Sequence, residues 1–144
     1  MALSVGSPAP SFSAKDDAGN TVSLADFAGK TVVLYFYPKD DTPGCTKEAQ
    51  GFRDAYPEYQ DKDIVVLGVS MDDEASHKMF KEKYGLPFTL VADSDGAITK
   101  AYDVSGGGYS KRVTYIINGD GVIEKVFESV KTDTHAADIL AELA

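Results

Sequence analysis

The stretch Thr31-Val32-Val33-Leu34-Tyr35-Phe36-Tyr37, followed at once by Pro38-Lys39-Asp40-Asp41-Thr42-Pro43-Gly44-Cys45, joins two local codes. The first run is β-branched, aliphatic and aromatic without polar alternation, the pattern of a strand buried on both faces. The second opens a helix. Thr42 fits the N-cap and Pro43 the first helical position, where no N–H is needed, so Cys45 falls in the first turn. There the unpaired backbone N–H groups and the positive end of the helix dipole favour thiolate over thiol. Asp40 and Asp41 oppose this if they approach the sulfur, so their carboxylates are expected to point into solvent, with Lys39 and Lys47 offsetting them.

Outward from this stretch, Ile64–Ser70 (IVVLGVS) repeats the buried-strand pattern. Between the two, Ala49, Phe52, Tyr56 and Tyr59 recur at helical spacing, and Pro57 is expected to end or bend that helix. This predicts a βαβ unit. A second helix fits 73–84, with acidic residues at its start, Lys81 and Lys83 near its end and Gly85 as its stop. Strands at 112–117 and 122–127 flank Asn118-Gly119-Asp120-Gly121, a hairpin turn, and a last helix places Ala136, Leu140 and Leu143 on one side. Near the start, Asp17-Ala18-Gly19-Asn20 marks a small hairpin between 11–14 and 21–24. The order matches an α/β thioredoxin-like fold, a central mixed sheet flanked by helices, with the N-terminal β-hairpin as an extension.

Composition bounds the function. The 144 residues, 43% hydrophobic and 26% charged, suit one domain spanning 1–144, and no linker or repeat divides them. Fourteen basic against twenty-three acidic residues give a net charge of -9, which argues against nucleic acid or anionic membrane partners. No apolar run is long enough to span a bilayer, and the first residues lack a basic segment followed by an apolar one, so a cytoplasmic location is expected. The glycines at 106–108 lack the lysine and spacing of a phosphate cradle and are read as one loop. One cysteine excludes an intrachain disulfide and leaves an inert buried thiol or a reactive one.

The spacing Pro38-x3-Thr42-x2-Cys45, within FYPKDDTPGCTKE, resembles the peroxiredoxin active-site signature, and the surrounding residues resemble the bacterioferritin comigratory protein (PrxQ) subfamily. Arg112-Val113-Thr114-Tyr115-Ile116-Ile117 is similar to that family's arginine-bearing strand, so the resemblance covers nearly the whole chain. It implies a thiol-dependent peroxidase. Cys45 would attack hydrogen peroxide or an organic hydroperoxide and become a sulfenic acid. Thr42 and the N–H groups of Gly44 and Cys45 would hold the peroxide, Arg112 would supply fixed positive charge, Glu48 would orient that arginine, and Pro38 would shield the sulfur. The subfamily implies a monomer.

The sequence departs from the subfamily where many members carry a resolving cysteine. Five positions after Cys45 stands Gln50. The cycle implied is the one-cysteine kind, completed by an external thiol, either thioredoxin or glutathione with glutaredoxin. The segment 103–110 is also shorter and richer in glycine than the family pattern, which leaves the pocket rim open and marks a candidate mobile part. His77 and His135 read as surface histidines on helices, which disfavours a cysteine-histidine hydrolase. Asp72-Asp73 and Asp93-x-Asp95 lack histidine or cysteine companions, so neither metal nor organic cofactor is expected. The competing readings are a monothiol disulfide reductase and a thioredoxin-fold chaperone or binding module.

Overall fold

A computed structural model describes residues 3–143. Strands β3 (Thr31–Phe36) and β4 (Ile64–Ser70) pair in parallel, with helix α1 (Pro43–Asp61) as their crossover. Helix α2 (Glu74–Tyr84) leads to β5 (Thr89–Ala92), parallel to β4. After the short α3 (Ala97–Ala101), β6 (Val113–Ile117) runs antiparallel along the other side of β3 and turns into β7 (Ile123–Phe127). The N-terminal hairpin of β1 (Ser13–Asp16) and β2 (Thr21–Ser23) joins β5 antiparallel. The result is a seven-stranded mixed sheet, β2-β1-β5-β4-β3-β6-β7, with α4 (His135–Leu143) last in the chain. This is the expected thioredoxin-like α/β architecture with its N-terminal hairpin.

Strand β3 shows why its sequence does not alternate. Val33, Tyr35 and the following Tyr37 enter a core with Phe52 and Tyr59 of α1, Phe80 of α2 and Ile139 of α4. Val32, Leu34 and Phe36 face the opposite core, with Ile98, Tyr102 and Tyr115. Each such side chain contributes roughly 1.5–3 kcal/mol by leaving water. Gly68 is required by this packing, because a Cβ there would lie 2.8 Å from the Tyr35 hydroxyl and 2.9 Å from Leu90 Cδ2.

The local signals place most boundaries well. Asp73 caps α2, accepting from the Ser76 N–H at 2.8 Å, and Gly85 ends it in the left-handed region at φ 60°. Asn118 Oδ1 accepts from the N–H groups of Asp120 and Val122 at 3.0 and 3.1 Å, closing the β6–β7 turn. Pro57, however, does not end α1, which continues to Asp61. The buried Phe52 and Tyr59 pin the helix to the sheet on both sides of the proline, and that packing outweighs a local cost of about 3 kcal/mol. The loop at 103–110 is closed at its neck by a bridge between Ser105 and Ser110 and by the Lys111 N–H donating to the Val104 carbonyl at 2.7 Å. Among the described residues no helix is long and apolar enough to cross a membrane.

Candidate active site

Topology brings distant residues to one sheet edge. Strand β3 ends just before the loop that starts α1, so Cys45, third in that helix, lies beyond the strand's carboxyl end. Because β6 is antiparallel to β3 with Val113 opposite Phe36, Arg112 enters the sheet at that same edge. Glu48 follows Cys45 by one helical turn and shares its inward face. The loop between strand and helix is itself tied down. Asp41, at φ 59°, accepts from Lys83 Nζ at 2.7 Å and the Tyr84 hydroxyl at 2.6 Å.

These residues form one contact chain. Arg112 Nη2 donates toward Cys45 Sγ at 3.3 Å, and Nη1 donates to Glu48 Oε1 at 2.6 Å. Cys45 is 1% exposed, and the Glu48 carboxyl is fully enclosed. Burial pushes Glu48 up from 4.5 to about 7, although the Arg112 charge and hydrogen bond pull against it. Burial disfavours the Arg112 cation, but the charges of Glu48 and Cys45 outweigh this and raise it. A short-range positive charge thus stands at the sulfur, supplied by arginine, while Lys39 and Lys47 are exposed.

Thr42 occupies the N-cap position of α1 but makes no side-chain cap. Its hydroxyl donates to the Lys39 carbonyl at 2.8 Å, which leaves its lone pairs for another donor. Gly44 lies against the arginine: a Cβ there would come within 3.1 Å of Arg112 Nη2. Pro38 lines a cavity of about 480 Å³ with Lys39, Met71, Asp72, Gly108 and Tyr109. The glycine-rich loop therefore forms part of the rim beside the cysteine loop.

Three expectations are corrected here. Asp40 does not point into solvent; it is buried and accepts from the Tyr37 hydroxyl at 2.6 Å and the Ser76 hydroxyl at 2.8 Å. His77 is not at the surface but fully buried, with Nδ1 2.7 Å from Asp40 Oδ2 and Nε2 donating to the Val91 carbonyl at 2.9 Å. Burial disfavours its charged form, yet the hydrogen bond and charge of Asp40 outweigh that and raise it. His135 is also buried, with Nε2 2.8 Å from the Thr114 hydroxyl, and burial holds it down at about 4. Asp41 is exposed, as expected.

Sequence reasoning missed these polar groups, although one signal was present. His77, Phe80 and Tyr84 recur at helical spacing, as do His135 and Ile139, which marks both histidines as belonging to inward faces. Asp40, Asp72 and His77 bring ligand-type atoms within 4.8 Å of one another. Their atoms are already engaged: both His77 nitrogens are bonded, and Asp72 Oδ2 accepts from the Asp40 N–H and the Ser70 hydroxyl at 2.8 and 2.6 Å. The cluster fastens the cysteine loop to α2 and β5.

Comparison with known proteins places the chain in one class, the thiol-dependent peroxidases. Within it the chain belongs to the AhpC/TSA family, whose profile matches residues 5–126. It is 46% identical to a Coxiella burnetii protein bearing the name peroxiredoxin bcp, over 99% of this chain and 100% of that one. It is 42% identical to peroxiredoxin Bcp of Bacillus subtilis, over 99% of this chain and 96% of the relative. A cysteine-to-serine variant of Xylella fastidiosa PrxQ superposes with a TM-score of 0.93 at 31% identity, covering 99% of this chain and 96% of that one. A Xanthomonas campestris bacterioferritin comigratory protein, described for its alkyl peroxide reduction, superposes at 0.86 with 35% identity, covering 92% and 89%. Thiol-dependent peroxide reduction is therefore the activity of this chain, which carries the Bcp/PrxQ architecture with one cysteine.

Proposed function

We propose that Cys45 is the peroxidatic nucleophile and that hydrogen peroxide and organic hydroperoxides are both substrates. The observation that carries this is the 3.3 Å contact of Arg112 Nη2 with Cys45 Sγ at the start of a helix. The thiolate attacks one peroxide oxygen; the S–O bond forms, the O–O bond breaks, and the departing oxygen takes a proton to leave as water or an alcohol. The Thr42 hydroxyl and the N–H groups of Gly44 and Cys45 hold the peroxide oxygens. Arg112 faces the charge that develops between them. Glu48 keeps the guanidinium aimed, and Pro38, having no N–H, walls off the sulfur on the loop side.

The rest of the cycle follows from the single cysteine. An external thiol attacks the sulfenic acid with loss of water, and a second thiol releases the mixed disulfide. Thioredoxin, or glutathione with glutaredoxin, has this chemistry. The working unit is one domain, 1–144, acting as a monomer in the reducing cytoplasm, without metal or organic cofactor. The test is to mix reduced protein with a slight excess of hydrogen peroxide and follow mass and rate at Cys45. Fast gain of one oxygen, slowed in Arg112→Ala, supports the assignment; oxidation no faster than that of a free cysteine overturns it.

A further inference from the structure

Behind the sulfur the fold encloses more potential negative charge than it can balance. A Cys45 thiolate and a Glu48 carboxylate share one cation, because Arg112 contacts both. Glu48 Oε1 has the arginine at 2.6 Å, but Oε2 is buried and, among the described residues, has no hydrogen-bond partner. The group from α4 that faces it is His135, whose Nε2 is 3.9 Å from Oε2, too far to bond, and is engaged with the Thr114 hydroxyl of β6. From β3 the titratable neighbour is Tyr35, whose hydroxyl is likewise buried without a partner among the described residues and is held neutral chiefly by that burial. Asp138 of α4 acts on His135 from outside. A bare carboxylate oxygen in such a place is costly once a thiolate competes for the same guanidinium, and a proton then removes the cost.

We propose that Glu48 carries a proton while Cys45 is a thiolate and gives it up once the sulfur is oxidised, so that the carboxyl stores the thiol's own proton. The charges balance at each stage. Thiol, guanidinium and carboxylate sum to zero; thiolate, guanidinium and carboxylic acid also sum to zero. In the attack the sulfur loses two electrons to the O–O bond, and the leaving oxygen needs one proton. Sulfenic acid, guanidinium and carboxylate again sum to zero, and the proton given up by Glu48 equals the one the leaving oxygen takes. Burial raises Glu48 to about 7 and lowers His135 to about 4, so near neutrality the carboxyl stands close to its midpoint beside a neutral imidazole, where a neighbouring charge can decide its state.

The oxidation half rests on the peroxidase reading; the thiolate half does not. Infrared difference spectra of the full-length reduced protein near neutral pH should contain a protonated-carboxyl band that Glu48→Gln lacks. Cys45→Ser, which keeps Arg112 and Glu48 but has no thiolate, should lose most of that band, at least severalfold. One equivalent of hydrogen peroxide should abolish it in the native protein. Equal bands in the native and Cys45→Ser proteins, no band in the reduced native protein, or a band that survives oxidation of Cys45 would each overturn the proposal. If peroxide leaves Cys45 unoxidised, the peroxidase reading fails, while the comparison of reduced native protein with Cys45→Ser still decides the thiolate half.

Discussion

Gly44 and Arg112 share one small volume: a Cβ on the glycine would lie 3.1 Å from Nη2, the same nitrogen that donates toward Cys45 Sγ at 3.3 Å. Gly44→Ala should therefore move the guanidinium by a few tenths of an ångström while leaving the thiol in place. The expected result is a fall in kcat/KM for peroxide on the order of tenfold, since small misplacements of a catalytic group are amplified in rate. Stopped-flow oxidation checks it, with the count of titratable thiols unchanged.

Arginine at position 112 bridges two partners through two different nitrogens, Nη1 to Glu48 and Nη2 to Cys45. Lysine offers one nitrogen and cannot hold both with the same geometry. Arg112→Lys should lower kcat/KM by roughly 10²-fold, the usual consequence of losing one preorganised charge or donor at the reacting atoms. A rate within twofold of the native protein would contradict the assigned role.

Thr42 separates catalysis from helix stability, because its hydroxyl bonds the Lys39 carbonyl and does not cap α1. Thr42→Ala should cost about 1 kcal/mol or less in urea unfolding. Its peroxide rate should fall roughly 10²-fold, as for a lost hydrogen bond to the transition state, here one that Thr42 accepts. Thr42→Ser should recover most of that rate.

Two buried groups behind the site pull stability in opposite directions with pH. Glu48 rises from 4.5 to about 7, so between those values the folded chain holds a proton that the unfolded chain has released, and its contribution falls as pH rises. His135 drops from 6.5 to about 4, so between those values the unfolded chain binds the extra proton, and stability rises with pH. The two slopes oppose each other across pH 5–6.5 in the native protein, so in Glu48→Gln the slope should turn upward there. In His135→Gln the slope should turn downward. Urea midpoints measured across that range test both signs.

The raised His77 acts oppositely to His135: its stabilising pair with Asp40 is fully present below pH 6.5 and is lost as pH climbs through the raised value. His77→Gln leaves Asp40 buried without its cation and should cost on the order of 3–5 kcal/mol at pH 6. The deficit should shrink at high pH, which thermal melts of the two proteins would show.

What the sequence discloses depends on how local the interaction is. The buried strand 31–37 and the helix start at Thr42-Pro43 are set by neighbours, and both are legible from composition alone. Arg112 lies 67 residues from Cys45, and only the resemblance pairs them; the physical link is the register of β3 with β6. Asp40 and His77, 37 residues apart, give no local hint of each other, so each reads singly as a surface group. Pro57 misleads for the converse reason: its local penalty is plain, whereas the packing of Phe52 and Tyr59 that overrides it is long-range.

With Cys45 only 1% exposed, access divides the two halves of the cycle by size. A peroxide presents two oxygen atoms and needs only a narrow opening, whereas a reducing thiol must bring its sulfur in line with the oxidised one. On the proposed external-thiol cycle, that larger partner would reach the sulfur only through an opening of the first turn of α1, which has no side-chain cap to hold it. Recycling would then follow the opening equilibrium of a few backbone hydrogen bonds, and mutations that stiffen this turn would slow reduction of the oxidised protein without touching its attack on peroxide.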